Sequence, residues 1–304
     1  MADVAFVVNP ASGNGAAGKA WPRIEELAAG HGLSGDVFFT ERAGHGAELA
    51  AWAADDGARL IVAVGGDGTV NEVVNGLGPS RSEVELAVIP QGTGDDLART
   101  FGIPTKAGEA VVVASGGQAR AVDLGRATFT VGEGSETRYF ANFAGAGISG
   151  AIARRGARTS RRLGAKVAYM WATTTVFVRW SSVPMRIELD EEVREGAMYE
   201  VVIANGMYAA GGMKIAPDAR PDDGRFDAVL IGDISKADFV TTFPKIYRGK
   251  HTSHPKVDVV SARTVSVDAV EQLPVVLDGE QPGTTPARFE IVPGALRLRA
   301  PAPA

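Results

Sequence analysis

Leu60-Ile61-Val62-Ala63-Val64-Gly65-Gly66-Asp67-Gly68-Thr69-Val70-Asn71-Glu72-Val73-Val74-Asn75-Gly76-Leu77 changes its periodicity across a short run of glycines. Residues 60–64 read as a strand, being an unbroken run of aliphatic residues closed by a glycine turn. Val70, Val73, Val74 and Leu77 then fall at i, i+3, i+4 and i+7, one apolar face of a helix that opens near Val70. Gly78-Pro79 stops that helix. Working outward, residues 4–8, 37–39 and 86–89 are further strand patterns, and helical segments lie between them. Strands alternating with helices are the grammar of βαβ units in a parallel sheet, so residues 1–122 read as an α/β nucleotide-binding domain.

From Asp123 onward the pattern becomes alternating strands, such as 185–189 and 263–267, punctuated by Gly, Pro and Asp turns. The expectation for residues 123–285 is a mostly antiparallel, β-sandwich-like second domain with helices near 160–178 and 236–247. Two last strand patterns, 288–292 and 296–298, fall in the segment 286–304. Periodicity leaves open whether that segment returns to the first domain. A ligand in such a two-domain chain is expected in the cleft between the halves.

Composition sets the outer limits. At 304 residues there is room for two domains, and 45% hydrophobic with 22% charged residues is ordinary globular usage. The net charge of −5 carries no nucleic-acid signature, and the absence of cysteine excludes disulfides, thiolate metal sites and cysteine nucleophiles. Met1-Ala2-Asp3 leads into the first strand without a basic leader, so secretion is not expected and a cytoplasmic setting fits. The longest charge-free apolar run, 167–178, is shorter than the roughly 20 residues a membrane span needs and reads as a buried or interfacial helix.

Three loops carry the chemistry. Gly65-Gly66-Asp67-Gly68-Thr69 follows a strand and opens a helix, where backbone N–H groups, closely approached because glycine has no side chain, make a phosphate site. An acid there repels phosphate unless a cation intervenes, so Asp67 suggests Mg²⁺ between carboxylate and phosphate. The plainer alternative is a glycine turn with Asp67 as helix cap. Pro90-Gln91-Gly92-Thr93-Gly94-Asp95-Asp96-Leu97 repeats the logic, and two such loops at strand carboxyl ends face one crevice. The first connection, Asn9-Pro10-Ala11-Ser12-Gly13-Asn14-Gly15-Ala16-Ala17-Gly18-Lys19-Ala20, satisfies G-x-G-x-x-G but leaves Asn9 to Ser12 between strand and glycines. It nearly satisfies the P-loop but has Ala20 where a metal-binding hydroxyl belongs. It reads as a third nucleotide-contacting loop.

Taken together, Asn9-Pro10-x-Ser12-Gly13, Gly65-Gly66-Asp67-Gly68-Thr69-Val70-Asn71-Glu72 and Pro90-x-Gly92-Thr93-x-x-Asp96 resemble the catalytic domain of the diacylglycerol kinase family, particularly its soluble bacterial lipid kinases. Asn142-x-x-Gly145-x-Gly147, Asp222-Asp223-Gly224-x-Phe226 and Leu277-Asp278-Gly279-Glu280 extend the resemblance over nearly the whole chain, in order. It implies an ATP- and Mg²⁺-dependent kinase acting on a membrane lipid alcohol. By that resemblance Asn9, Pro10, Ala11, Ser12, Gly13, Thr40, Gly65, Gly66, Asp67, Gly68, Thr69, Val70, Asn71, Gly92, Thr93 and Asp96 belong to the ATP site. It further implies a structural Mg²⁺ on the Asp223 side chain and the carbonyls of Arg220 and Arg225. Glu280 becomes the proton acceptor with Asp278 beside it, Asp278 being the milder of the two to alter. Asp95 departs from the family, which commonly shows Asn there.

Arg154, Arg155, Arg158, Arg161, Arg162, Lys166 and Arg179 place seven positive charges and no acid in residues 151–180. That segment is expected either to meet an anionic membrane surface peripherally, at the inner face of the membrane, or to be a solvated helix start. His251 and His254 read as structural rather than as a metal pair. An NAD kinase-like enzyme and a non-catalytic nucleotide- or lipid-binding regulator are the competing functions, and the oligomeric state, a homodimer included, stays open.

Overall fold

The computed structural model describes residues 2–158, 173, 175–177 and 179–302. Alternating side chains along a strand point to opposite faces of a sheet, and each apolar face then needs a cover. β1 (Val4–Val8), β2 (Asp36–Phe39), β3 (Leu60–Gly65) and β4 (Glu85–Pro90) lie in the order β2-β1-β3-β4, each neighbouring pair parallel. Around them run α1 (Ser12–Gly30), α2 (His45–Asp55), α3 (Asp67–Leu77), α4 (Asp96–Thr100) and α5 (Ala107–Gly116). Ala5, Val7, Ile61, Ala63, Leu86 and Val88 face one way, onto Ala50 and Ala53 of α2 and the Val70, Val73, Val74 and Leu77 stripe of α3. Phe6, Val8, Val62, Val64, Ala87 and Ile89 face the other way, onto Trp21, Ile24 and Ala28 of α1 and Ala110, Val111 and Ala114 of α5. Covered on both faces, β3 is buried along its whole length.

The remainder contains β5 (Gln118–Val131), β6 (Gly134–Phe140), β7 (Phe143–Gly147), α6 (Ile148–Arg158), β8 (Val183–Leu189) and β9 (Glu192–Ala204). The small hairpin β10 (Tyr208–Ala209) and β11 (Met213–Lys214), β12 (Phe226–Gly232) and α7 (Lys236–Ile246) follow. β13 (Val257–Ala262), β14 (Thr264–Ala269), β15 (Pro274–Leu277) and β16 (Glu280–Ala300) complete the chain. Pairing in this half is antiparallel and closes on itself: β7 pairs β9, β9 pairs β8, β8 pairs β14, β14 pairs β16, β16 pairs β15 and β15 returns to β7. Within this ring β9 meets β7 and β8, and β16 meets β14 and β15, through different stretches, as corner strands do when two layers share them. The enclosed core includes Phe129, Phe140, Phe226 and Phe289, with the Phe140 and Phe226 rings stacked 5.6 Å apart.

Two element boundaries differ from the sequence reading. α3 begins at Asp67 rather than near Val70, because Gly66 takes the extended N-cap conformation and the first turn needs no apolar face. The two final strand patterns are parts of the single strand β16, whose register shifts between Val292 and Leu296. Its end runs parallel to β4 through Arg297 opposite Glu85 and Leu298 opposite Leu86, so the last segment does reach the first half of the chain. The result is one continuous sheet of fourteen strands among the described residues. The helix read near 160–178 and its apolar run 167–178 lie largely outside the described residues.

Candidate functional site

Parallel strands end on one edge, so the loops after β1, β3 and β4 meet there. The Asn9 Nδ2 donates to Thr69 Oγ1 at 2.9 Å, the Ser12 hydroxyl lies 3.3 Å from the same oxygen, and Gly66 N donates to Ser12 Oγ at 3.3 Å. The first loop thus ties to the second through side chains, with Ala11 N on Asn9 Oδ1 at 3.1 Å and Gly18 N on the Pro10 carbonyl at 3.2 Å. Gly13, Asn14 and Gly15 all take positive φ, which separates this turn from the body of α1. The second and third loops touch at backbone level: a Cβ on Gly92 would stand 2.7 Å from the Gly66 Cα. Thr40 is buried at the end of β2 with its N–H on Val8 O at 2.9 Å, and Thr93 is exposed on the loop surface.

Asp67 caps a helix, but not its own. Its Oδ1 accepts from Asp96 N at 2.9 Å and from Leu97 N at 3.4 Å, the start of α4, while the N-cap of α3 receives no side-chain hydrogen bond. Burial pushes the Asp67 carboxyl up to about 7, and the charges of Asp96, Asp95 and Asp278 push the same way. Gly94 keeps this approach open, since a Cβ there would meet Asp67 Oδ2 at 2.7 Å. Asp95, at φ 51°, holds the turn by accepting from Gly92 N at 3.1 Å. Asp96 turns away from the strand edge and accepts from Gly211 N and Gly212 N at 2.7 Å each, clamping the β10–β11 hairpin of the second half onto the first.

The Asp278-Gly279-Glu280 turn closes the site from the other side. Asp278 accepts from Asn142 N at 3.1 Å and Phe143 N at 2.9 Å through Oδ1, and from Ala141 N and Asn71 Nδ2 at 2.9 Å each through Oδ2. Burial raises its carboxyl above the ordinary range, and these four donors oppose the rise. Glu280 has no such set. Its Oε1 sits 3.5 Å from where a Cβ on Gly68 would be, directly over the first turn of α3. Its carboxyl is raised, first by burial and then by the charge of Glu72, with Arg138 pulling down. The glycine-rich backbone at the start of α3, an acid against α4 and a second acid over α3 therefore share one cleft.

Asn71, read from sequence as a nucleotide contact, is placed by the structure with its amide on Asp278 and on the Tyr139 carbonyl. Asn75 completes the link: its Nδ2 donates to Tyr139 O at 2.9 Å and its Oδ1 accepts from Tyr139 N at 2.8 Å. Glu72 accepts from Gly44 N and Gly46 N at 2.8 Å each and holds the start of α2. Sequence reasoning gave Asn75 and Glu72 no such roles, because their partners are backbone groups far along the chain. Glu200 was missed as well. It is 2% exposed and accepts from Ser149 N at 2.7 Å and Ser149 Oγ at 2.5 Å, and its one sequence signal is an acid abutting the apolar run 201–203.

In the second half Asp223 is exposed and its Oδ1 accepts from Arg225 N at 3.0 Å, while the Arg225 guanidinium is engaged by Ser261. Burial and the charges of Asp223 and Asp218 raise Asp227, so this turn concentrates negative charge. Among the described residues no group of three or more Asp, Glu, His or Cys side chains is arranged to hold a metal. His251 is buried with Nε2 3.0 Å from Ile215 O, and His254 Nδ1 accepts from Lys256 N at 3.2 Å, so the two rings serve separate backbone contacts. Arg154, Arg155 and Arg179 are exposed; Arg161, Arg162, Lys166 and the side chain of Arg158 lie outside the described residues.

Comparison with known proteins bears on what this cleft belongs to. Residues 3–127 match the diacylglycerol kinase catalytic domain, and residues 142–300 match the YegS C-terminal NAD kinase beta sandwich-like domain. The diacylglycerol kinase of Staphylococcus carnosus (strain TM300) is 31% identical over 287 residues, covering 93% of this chain and 90% of that protein. The chain belongs to the diacylglycerol kinase family. A second relative of that name, from Staphylococcus aureus (strain bovine RF122 / ET3-1), is 30% identical over 260 residues, covering 85% of this chain and 79% of its own. A crystal structure from Bacillus anthracis str. Sterne, named for the same kinase, superposes with a TM-score of 0.77 at 26% identity, covering 98% of this chain and 96% of that one. At family level this chain is a lipid kinase with the mixed α/β and antiparallel architecture of diacylglycerol kinases.

Proposed function

We propose that this family member transfers the γ-phosphoryl group of ATP to the hydroxyl of a membrane lipid such as diacylglycerol. The observation that carries the reading is Glu280 Oε1 over Gly68 at the start of α3, on the same cleft as Asp67 and the Asn9–Ser12 loop. Backbone N–H groups at that helix start suit the phosphates of ATP, and the helix dipole favours their charge. The lipid hydroxyl oxygen attacks the γ-phosphorus as its proton passes to Glu280, the bond to the β–γ bridging oxygen breaks, and ADP leaves. A carboxyl with a raised proton affinity suits the role of acceptor. Asp278 fixes the turn that carries Glu280 and is a positioning residue.

Asp67 is the proposed protein ligand for Mg²⁺, with the phosphates of ATP supplying further oxygens; the charges of Asp95 and Asp96 around it favour a cation there. When bound with ATP, this ion neutralises phosphate charge. For a structural cation the proposed ligands are the Asp223 side chain and the carbonyls of Arg220 and Arg225, in a turn where the charges of Asp218 and Asp227 favour a cation. A cytoplasmic chain attached peripherally to the inner membrane face, with the basic segment 151–180 toward anionic lipid, completes the reading. No helix among the described residues is long and apolar enough to cross a membrane.

Labelled ATP and Mg²⁺ offered with diacylglycerol, sphingosine, an undecaprenol-type alcohol, phosphatidylglycerol and NAD test it. Label in a lipid is the expected result. Label in NAD alone establishes the NAD kinase-like reading, and ATP binding without transfer to any acceptor establishes a non-catalytic regulator.

A further inference from the structure

The solvent face of α7 combines two properties that globular helices keep apart. Ala237, Val240, Pro244 and Tyr247 follow one another at helical spacing, and all four are exposed, Val240 at 62% and Tyr247 at 50%. The opposite face does the ordinary packing: Ile246 and Phe243 join the core over β7, β9 and β12, and the Phe239 ring stacks 4.1 Å from Phe177. The outward stripe therefore is not a misplaced core stripe; the core stripe is already present beside it.

Cations flank the apolar stripe. Residues 236–256 hold Lys236, Lys245, Arg248, Lys250 and Lys256 against one acid, Asp238, on a chain of net charge −5. Asp238 is committed to the start of α7, where its N–H and carboxylate both bond Ser235 Oγ. Lys236 and Lys256 are spent on backbone carbonyls, Lys236 on those of Phe177 and Trp180 and Lys256 on that of Asp233. Lys245, Arg248 and Lys250 are exposed and form no ion pair among the described residues. Lys214 joins them, its Cδ 3.6 Å from the Cβ position of Gly249.

The placement links this face to the cleft. α7 starts after Gly232, whose partner Met198 lies toward the end of the antiparallel sheet away from Asp278, and an 11-residue helix runs about 16 Å back along the sheet. The turn that follows packs His251 on Ile215, just past the β10–β11 hairpin that Asp96 clamps. The N-terminal end touches Phe177, next to the basic segment ending at Arg179.

We propose that α7 is an interfacial helix: Val240, Pro244 and Tyr247 enter the headgroup layer of an anionic bilayer while Lys245, Arg248 and Lys250 bind its phosphates. Exposed apolar residues beside unpaired cations are the chemistry that such a surface complements, and neutral protein surfaces do not reward the cations. This rests on the lipid-kinase reading, because a chain that takes its acceptor from a bilayer has to hold its cleft against one.

The test uses the full chain and two variants, Lys245→Gln/Arg248→Gln/Lys250→Gln and Val240→Ser/Tyr247→Ser, with vesicles of phosphatidylcholine alone or mixed with phosphatidylglycerol. Wild type is expected to co-sediment with the mixed vesicles, less in high salt, and the triple variant to lose on the order of 10²-fold in partition. The double variant is expected to bind more weakly while retaining the salt response. Turnover of a short-chain diacylglycerol dispersed as monomers stays at the wild-type level in both, since no cleft residue changes. If no protein turns over any lipid alcohol, the kinase reading fails while vesicle partition still decides the surface. Variants that partition like wild type overturn the proposal. A double variant that dissociates a dimer in sedimentation velocity without changing vesicle partition overturns it too, and assigns α7 to a second copy of the chain.

Discussion

Exchanging the two carboxylates of the Asp278-Gly279-Glu280 turn for amides separates a base from an anchor. Asp278 uses both oxygens, two donors on each, so Asp278→Asn leaves one oxygen for four N–H groups and turns an NH₂ toward two of them. Hydrogen bonds to a charged acceptor contribute about 1.5–3 kcal/mol each, so two lost bonds amount to roughly 3–6 kcal/mol. Removing a buried charge offsets part of that, since burial raises this carboxyl. A net loss of about 3 kcal/mol remains, or on the order of 10 °C in melting temperature at roughly 2–4 °C per kcal/mol. Glu280→Gln, which disturbs no such donor set, is expected to keep the wild-type melting temperature and ATP affinity while turnover falls about 10²–10⁴-fold. Melting curves, equilibrium ATP binding and single-turnover transfer on the three proteins give the answer. From sequence the asparagine variant is the milder one; the four donors make it the more damaging to the fold. A stable but inactive Asp278→Asn together with an active Glu280→Gln would refute the assignment and make Asp278 the base.

Asp67→Asn is expected to abolish turnover while a vesicle-free melting curve shows a folded chain; activity near wild type in excess Mg²⁺ removes Asp67 from the site. Asn75→Ala frees the Tyr139 backbone from α3, and hydrogen exchange over β6 is expected to rise together with a fall in kcat at little change in the KM for ATP; unchanged exchange removes the positioning role. Glu200 has its carboxyl raised from 4.5 to about 7 by burial, opposed by the Ser149 hydrogen bonds. The folded state therefore holds a proton that the unfolded state releases, and stability is full below about 4.5 and declines as pH rises through about 7, by at most about 3 kcal/mol. Glu200→Gln accepts from Ser149 N and donates to its hydroxyl, so its urea midpoint is expected to lack that decline; a parallel decline in both proteins assigns it elsewhere. Asp223→Ala is expected to lower stability in Mg²⁺ more than in EDTA, and equal effects in both sink the structural-cation proposal.

The sequence by itself determined the type and order of the elements around the glycine loops, which depend on neighbours along the chain. The aliphatic run at residues 60–64 and the stripe of Val70, Val73, Val74 and Leu77 set a strand, a turn and a helix, because backbone period and side-chain burial must agree within one element. Glycines at 92 and 94 marked a loop where backbone and carboxylates come too close for a Cβ. Tertiary structure decided which distant groups meet. Asp67 stands at the start of its own helix in sequence, yet its carboxylate caps α4, because the loops after β3 and β4 share one sheet edge. Asn71 also places its amide on Asp278, 207 positions away, and Glu72 reaches back to the start of α2. The strand pattern at the end of the chain gave no partner, since β16 could satisfy its hydrogen bonds on any open edge and only the packed fold sets it beside β4. Periodicity names the face an element buries; the long-range pairing that fills the opposite side follows from chain closure and packing, which no local window contains.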